Sequence, residues 1–158
     1  PLRIAAPGRT FRNEDLDGNH ENTYFQIEGM VIDKVVTIGN LIYIMQNVLR
    51  EIFKTDVKVR LRPGFFPFTE PSYELDMGCL ICGGKGCATC KNSGWIELIG
   101  CGMTHPMVYK YGGVDHEVYN GFAFGLGLTR LAMMKYKIND IRVLNSGDLR
   151  SLEEFDIH

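Results

Sequence analysis

Four cysteines fall within twelve residues, Cys79, Cys82, Cys87 and Cys90, in the pattern C-x2-C-x4-C-x2-C. Each C-x-x-C turn can aim two thiolates at one point, and Zn²⁺ takes four such ligands tetrahedrally at about 2.3 Å. Gly83, Gly84 and Gly86 allow the connecting backbone to fold tightly. The same thiols could also stay reduced and metal-free, or take part in redox or disulfide chemistry. All four ligand places are filled by cysteine, which points to a structural metal rather than a catalytic one. Strand-like segments at about 72–78 and 94–103 flank the array and predict that it tips a hairpin. Cys101 stands apart and reads as a small buried residue. Five cysteines, an odd number, behind an opening with no charged-then-apolar leader argue against a disulfide framework and for the cytoplasm.

The chain has 158 residues, 45% of them apolar and 23% charged, the balance of one globular domain. Net charge is −2, so charge alone does not mark a polybasic nucleic-acid binder. No apolar run approaches the roughly 20 residues of a membrane span, so no membrane partner is expected. The opening at Pro1, without Met, suggests a processed product or a piece of something longer.

Residues 1–23 read as polar and turn-rich, broken at Pro7-Gly8 and Asp17-Gly18-Asn19. Residues 24–33 read as a strand with Phe25, Ile27, Gly29 and Val31 on one face and Gln26, Glu28, Met30 and Ile32 on the other. Two polar groups on one side of an otherwise apolar strand suggest contact with a ligand. From Thr37 to Lys54 the stripe Ile38, Leu41, Ile42, Met45, Val48, Leu49, Ile52 predicts a helix covering a sheet, with Thr37 as N-cap. Residues 56–63 alternate as a half-buried strand, with Val57, Val59 and Leu61 inward, stopped by Pro63. Residues 64–72 read as a compact aromatic–proline segment, and short helices are expected near 105–111, 126–136 and 148–155. Strands, a hairpin and a covering helix without β-α-β alternation give an antiparallel α+β domain.

Two further constellations bear on chemistry. Residues 8–29 combine Arg9, Arg12, Glu14, Asp15, Asp17, His20, Gln26 and Glu28. They read either as a solvated charged hairpin or as a site in which cations hold phosphate while amide and carboxylate hold a polar group. Residues 121–134 place Gly121, Gly125 and Gly127 at the opening of a helix with Arg130 one turn inside. Helix N-termini favour anions, but the spacing matches neither the P-loop nor the dinucleotide fingerprint.

Residues 8–29 resemble motif 2, and residues 121–134 motif 3, of the class II aminoacyl-tRNA synthetases. RPGFFPFTEPSYELD (62–76), GMTHPMVY (102–109) and FAFGLGLTRLAM are similar to the bacterial phenylalanyl-tRNA synthetase α-subunit family, over about residues 2–155. The resemblance implies a class II antiparallel sheet flanked by helices as a partial catalytic domain over 1–158, into which the 79–90 zinc knuckle read from the cysteine spacing would be inserted. It implies ATP-dependent activation of L-phenylalanine and transfer to tRNA(Phe), with Mg²⁺ and a separate β subunit as partner, whereas the one structural Zn²⁺ rests on the cysteine spacing alone. Arg12 would bridge the α-phosphate and the amino-acid carboxylate, and Arg130 would hold the γ-phosphate end. His20 would contact pyrophosphate and Glu14 the adenine amino group, with Gly125 and Gly127 beside the nucleotide. Gln26 and Glu28 would meet the amino acid, Glu28 at its ammonium. Glu70 would bind Mg²⁺. Phe66 and Phe68, with one residue between them on an extended segment, would grip the phenyl ring beside Thr69. Ala123 would floor that pocket, with Gly121 and Gly125 leaving room beside it.

The family's motif 1, its N-terminal tRNA-binding coiled coil and substrate residues before motif 2 have no counterpart in these 158 residues, so the piece alone is expected to be inactive. Two other readings remain: a zinc-dependent interaction module on a synthetase-like scaffold, and a paralogue with another substrate. A scaffold needs neither Arg12 and Arg130 nor Phe66 and Phe68, whereas a paralogue would show exchanges at Phe66, Phe68 or Ala123.

Overall fold

The computed structural model describes residues 1–13, 22–87, 90–138 and 141–150. The elements in chain order are β1 (Leu2–Phe11), β2 (Thr23–Asp33), α1 (Ile38–Phe53), β3 (Val59–Phe66), β4 (Thr69–Gly78), β5 (Trp95–Thr104), α2 (Pro106–Gly112), β6 (Asn120–Gly127), α3 (Leu128–Tyr136) and α4 (Arg142–Asn145). They fall into two compact units: residues 1–6 with 28–126, and residues 7–27 with 127–158.

The strands are ordered β1-β2-β6-β5-β4-β3, and in the first unit β3, β4, β5 and β6 pair antiparallel in turn. Directly opposed residues share a face. One apolar row therefore crosses four strands: Leu61 faces Leu75, Leu75 faces Ile99 and Ile99 faces Leu126. Leu75, Ile99 and Leu126 are almost wholly buried. Against β5 lies α1, whose Leu41, Met45 and Leu49 are fully buried. Its ends agree with the sequence: Thr37 caps the first turn in a reciprocal box with Asn40, and Lys54 ends it in the left-handed region at φ 54°.

Three expectations need correction. Leu2–Phe11 form a ten-residue strand rather than a turn-rich lead-in. This is an edge strand exposed along almost its whole length, so it carries no inward–outward alternation, and Pro7 costs no ladder bond where no neighbour needs its N–H. The strand after α1 starts at Val59, not residue 56, and runs through Pro63 to Phe66, because β3 is the opposite edge of the same sheet. Residues 64–72 are therefore the end of β3, a two-residue turn at Pro67-Phe68 and the start of β4.

The hairpin expected around the cysteines is present: β4 and β5 pair, with Gly78 opposite Trp95, and the cysteines lie between them. In the second unit α3 begins at Leu128, with Gly127 as its N-cap. Gly121 and Gly125 do not open the helix but lie within β6. The helix expected at 148–155 falls largely outside the described residues, and α4 at Arg142–Asn145 was not anticipated.

Candidate functional site

The sheet face opposite the apolar row carries small residues in β5 and β6. Gly100 faces Gly125 and Gly102 faces Ala123 across β5 and β6, so these four positions form a floor bearing a single methyl group. A Cβ on Gly100 would stand 2.7 Å from Cζ of Phe66, so the Phe66 ring lies over this floor. A Cβ on Gly102 would run into the Pro71 carbonyl oxygen and come within 2.7 Å of the Thr69 Cβ. Phe66 stacks on Phe68 with ring centroids 5.9 Å apart and planes 18° from parallel. The two rings do share a side, although the route is a tight turn rather than an extended segment: Phe66 ends β3 and Phe68 sits in the turn.

Glu74 also faces Gly100, from β4, and is half-buried on this face. Gly29 has no room for a side chain because the Phe124 ring fills the space, which puts Gly29 with the core-side rings and Glu28 on the opposite face of β2. Glu28 is exposed there. Gly121 does not leave room for a ligand: a Cβ there would collide with the Val31 carbonyl oxygen, so its small size serves the approach of two strands.

The turn that bears the two rings is braced from inside. Thr69 and Ser72 are buried, and their hydroxyls meet at 2.7 Å. The Phe66 N–H donates to Ser72 Oγ at 3.1 Å. The His105 N–H donates to the Phe68 carbonyl at 3.0 Å, while His105 Nδ1 accepts the Met107 N–H as N-cap of α2. Glu70 is largely exposed, with one carboxylate oxygen 3.3 Å from His105 Nε2.

The second unit holds Arg9, Arg12 and Arg130. The Arg12 guanidinium lies over the Tyr24 ring, 5.2 Å from its centroid, and the Arg12 backbone N–H donates to the Asn22 carbonyl. Arg9 lies similarly over Phe25. Gln26 is half-buried in β2. Arg130 is exposed in the first turn of α3, where Gly127 provides no side-chain cap and has open space where a Cβ would stand. The neighbouring Thr129 is buried and accepts the Phe25 N–H at 2.9 Å, which anchors that helix turn to the strand. Glu14 and His20 lie outside the described residues.

The cysteine cluster has the geometry of a metal site. The Sγ atoms of Cys79, Cys82, Cys87 and Cys90 all lie within 4.8 Å of one another. Cys79–Cys87 and Cys82–Cys90 are 3.8 Å apart and Cys87–Cys90 3.7 Å. Four sulfurs at about 2.3 Å from a tetrahedral centre are separated by about 3.8 Å, so the cluster fits Zn²⁺. The turns need their glycines: Gly86 has φ 101° with the Asn92 carbonyl where a Cβ would stand, and the Gly84 carbonyl blocks a side chain at Gly94. Burial pushes the Cys90 thiol up, but N–H groups of Cys87 and Gly94 aimed at its sulfur outweigh that and bring it down to about 6. Burial opposes the thiolate at Cys82 as well, yet the Gly86 N–H holds its pKa below the usual range. Burial dominates at Cys79, raised to about 11. Cys101 is buried as expected, and burial followed by the Glu74 charge raises it to about 12. Below the knuckle, Arg60 and Arg62 converge on the buried Asp76, and Arg60 also lies over the Trp95 ring at 4.4 Å.

Residues 1–155 match the family described as tRNA synthetases class II core domain (F). The chain belongs to this family. Among curated relatives, the "Phenylalanine--tRNA ligase alpha subunit" of Leptospira biflexa serovar Patoc is 54% identical over 155 residues, which is 98% of this chain and 46% of the relative. The protein of the same description from Lachnoclostridium phytofermentans is 50% identical over the same shares. The chain thus spans about half the length of the curated relatives it matches. A solved pyrrolysyl tRNA synthetase from Desulfitobacterium hafniense superposes with a TM-score of 0.56 at 15% identity, covering 90% of this chain and 45% of that one. At that identity the likeness concerns the fold, an antiparallel class II core, and not the substrate. Among the described residues no helix is long and apolar enough to cross a membrane.

Proposed function

We propose that the chain is the catalytic-core portion of a phenylalanine--tRNA ligase α subunit. The intact enzyme would join L-phenylalanine to ATP as phenylalanyl-adenylate, release pyrophosphate, and pass the phenylalanyl group to tRNA(Phe). The observation that supports this best is the stacked pair Phe66 and Phe68, with the Phe66 ring seated on Gly100 beside Gly125 and Ala123. A flat aromatic side chain fits beside such rings, and ring–ring contacts add about 0.5–1.5 kcal/mol per pair beyond burial. Thr69 is read as supporting that pocket through its turn. Glu28, on the same face, suits the substrate ammonium.

The reaction needs no protein base. The amino-acid carboxylate is already a nucleophile at neutral pH; its oxygen attacks the α-phosphorus as the bond to pyrophosphate breaks. What must be supplied is alignment of two anions and neutralisation of the charge that builds up. By family resemblance Arg12 serves the α-phosphate and carboxylate, Arg130 the γ-phosphate end, and Glu14, His20, Gln26, Gly125 and Gly127 the nucleotide and amino acid. An arginine fork suits bidentate contact with both kinds of oxygen. Glu70 fits a Mg²⁺ role, since that ion is held by one or two carboxylates together with substrate phosphates. Mg²⁺ would supply charge neutralisation at the phosphates. The β subunit, tRNA(Phe) and a cytoplasmic setting belong to the same reading. The four thiolates are proposed to hold one structural Zn²⁺, on the separations given above.

ATP–pyrophosphate exchange by the intact αβ enzyme with each amino acid in turn tests the assignment. Exchange should be strong with phenylalanine, weak with tyrosine and negligible with aliphatic amino acids. Exchange driven best by another amino acid would make the chain a paralogue of different specificity.

A further inference from the structure

We propose that Ser72 is a positioning residue for the aromatic wall: its hydroxyl locks the turn that presents Phe66 and Phe68. The inference rests on the reading of those rings as the wall of the amino-acid pocket. A serine hydroxyl has one hydrogen and two lone pairs. Here all three are used. Ser72 Oγ donates to the Thr69 carbonyl at 2.7 Å, accepts the Phe66 N–H at 3.1 Å, and accepts the Thr69 hydroxyl at 2.7 Å. Because the Ser72 hydrogen is committed to the carbonyl, Thr69 is the donor in the hydroxyl pair. Both side chains are buried, at 8% and 5% exposure, so water does not offer an equal substitute.

The register explains why a side chain is needed at this point. The β3–β4 ladder is regular to Gly64 opposite Ser72 and then shifts, resuming only at Phe66 opposite Thr69. The Ser72 hydroxyl takes the Phe66 N–H within that irregularity. The Phe66 ring in turn leans on Gly100 and stacks on Phe68, so a drift of the Phe66 backbone carries the ring across the floor.

Loss of the hydroxyl should therefore weaken contact with the substrate ring. That contact is equally present in the ground and transition states, so its loss appears in KM rather than kcat. In ATP–pyrophosphate exchange by the intact αβ enzyme, Ser72→Ala should raise the KM for phenylalanine about tenfold, equivalent to about 1.4 kcal/mol. The kcat and the KM for ATP should stay within about twofold. Ser72→Cys keeps a weak donor and acceptor in place and should give a smaller rise in the same direction; it also decides the matter if the alanine variant does not fold. Amide hydrogen exchange at Phe66 should quicken in both variants.

Phe66→Leu serves as the reference. If it raises the KM for phenylalanine while both Ser72 variants leave it unchanged, or lower kcat instead, Ser72 has no positioning role and the aromatic wall stands. If Phe66→Leu itself changes nothing, the wall reading fails and the Ser72 proposal fails with it.

Discussion

The Phe66 ring rests on the bare backbone of Gly100, with its Cζ 2.7 Å from where a Cβ would stand. No methyl fits between them without displacing the ring. Gly100→Ala should therefore push Phe66 off the floor and raise the KM for phenylalanine by about tenfold or more, while the apolar row on the opposite face keeps the sheet folded. Steady-state exchange kinetics together with thermal unfolding check this; an unchanged KM in a folded variant would mean that the ring does not touch the substrate.

Asp76 is 2% exposed and takes hydrogen bonds from Arg62 Nε at 2.6 Å, Arg62 Nη2 at 2.8 Å and Arg60 Nε at 2.8 Å. Burial raises its carboxyl, but the two guanidiniums outweigh burial and hold the pKa below the usual range. A depressed folded-state pKa gives stability that is complete above the unfolded value of about 3.9 and is lost as pH falls through the folded value. Asp76→Asn should cost about 2–3 kcal/mol at neutral pH, less than a fully buried pair because both arginines keep access to water. The deficit should shrink in acid. Urea unfolding at pH 7 and pH 3 measures both; an equal loss at the two pH values would contradict the ion-pair account.

Protein purified without chelator should carry about one zinc per chain, and thiol titration should find the four knuckle cysteines protected until the metal is stripped. Metal-free protein with four reactive thiols in that hairpin would remove zinc from the account.

Arg12→Ala and Arg130→Ala in the intact enzyme should each lower phenylalanine activation by about 100- to 1,000-fold, the loss typical of one preorganised charge contact of about 2.7–4 kcal/mol. Circular dichroism should remain unchanged. Near-normal pyrophosphate exchange in either variant would refute the phosphate roles.

The parts legible in the sequence are those whose burial leaves a period. The α1 stripe and the β4–β5 hairpin carry such a pattern, and the cysteine spacing translates directly into sulfur separations. The edge strand β1 has no buried side from which to read a period, and Pro63 misled because an edge position tolerates what a central strand would not. Phe66, Phe68 and Ala123 are assigned to the pocket by family likeness rather than pattern, since aromatic residues at such spacing are mostly core. Gly100, Ser72, Glu74 and Thr129 were missed. A glycine beneath a ring, or a hydroxyl inside a turn, acts through partners distant in sequence, and no local spacing announces them.

Ala123 carries the one methyl on the floor, opposite Gly102 and on the same face as Gly100. Its removal should open space beyond the para position of a bound ring. The most direct measurement is exchange with phenylalanine, tyrosine and para-chlorophenylalanine by the intact enzyme and its Ala123→Gly variant. Wild type should use phenylalanine, reject para-chlorophenylalanine and discriminate against tyrosine by only roughly a hundredfold, since apolar walls reject an added hydroxyl weakly. The glycine variant should gain the para-chloro substrate while retaining phenylalanine. If it gains nothing, the substrate ring does not lie on this floor and the placement of the phenylalanine pocket is wrong.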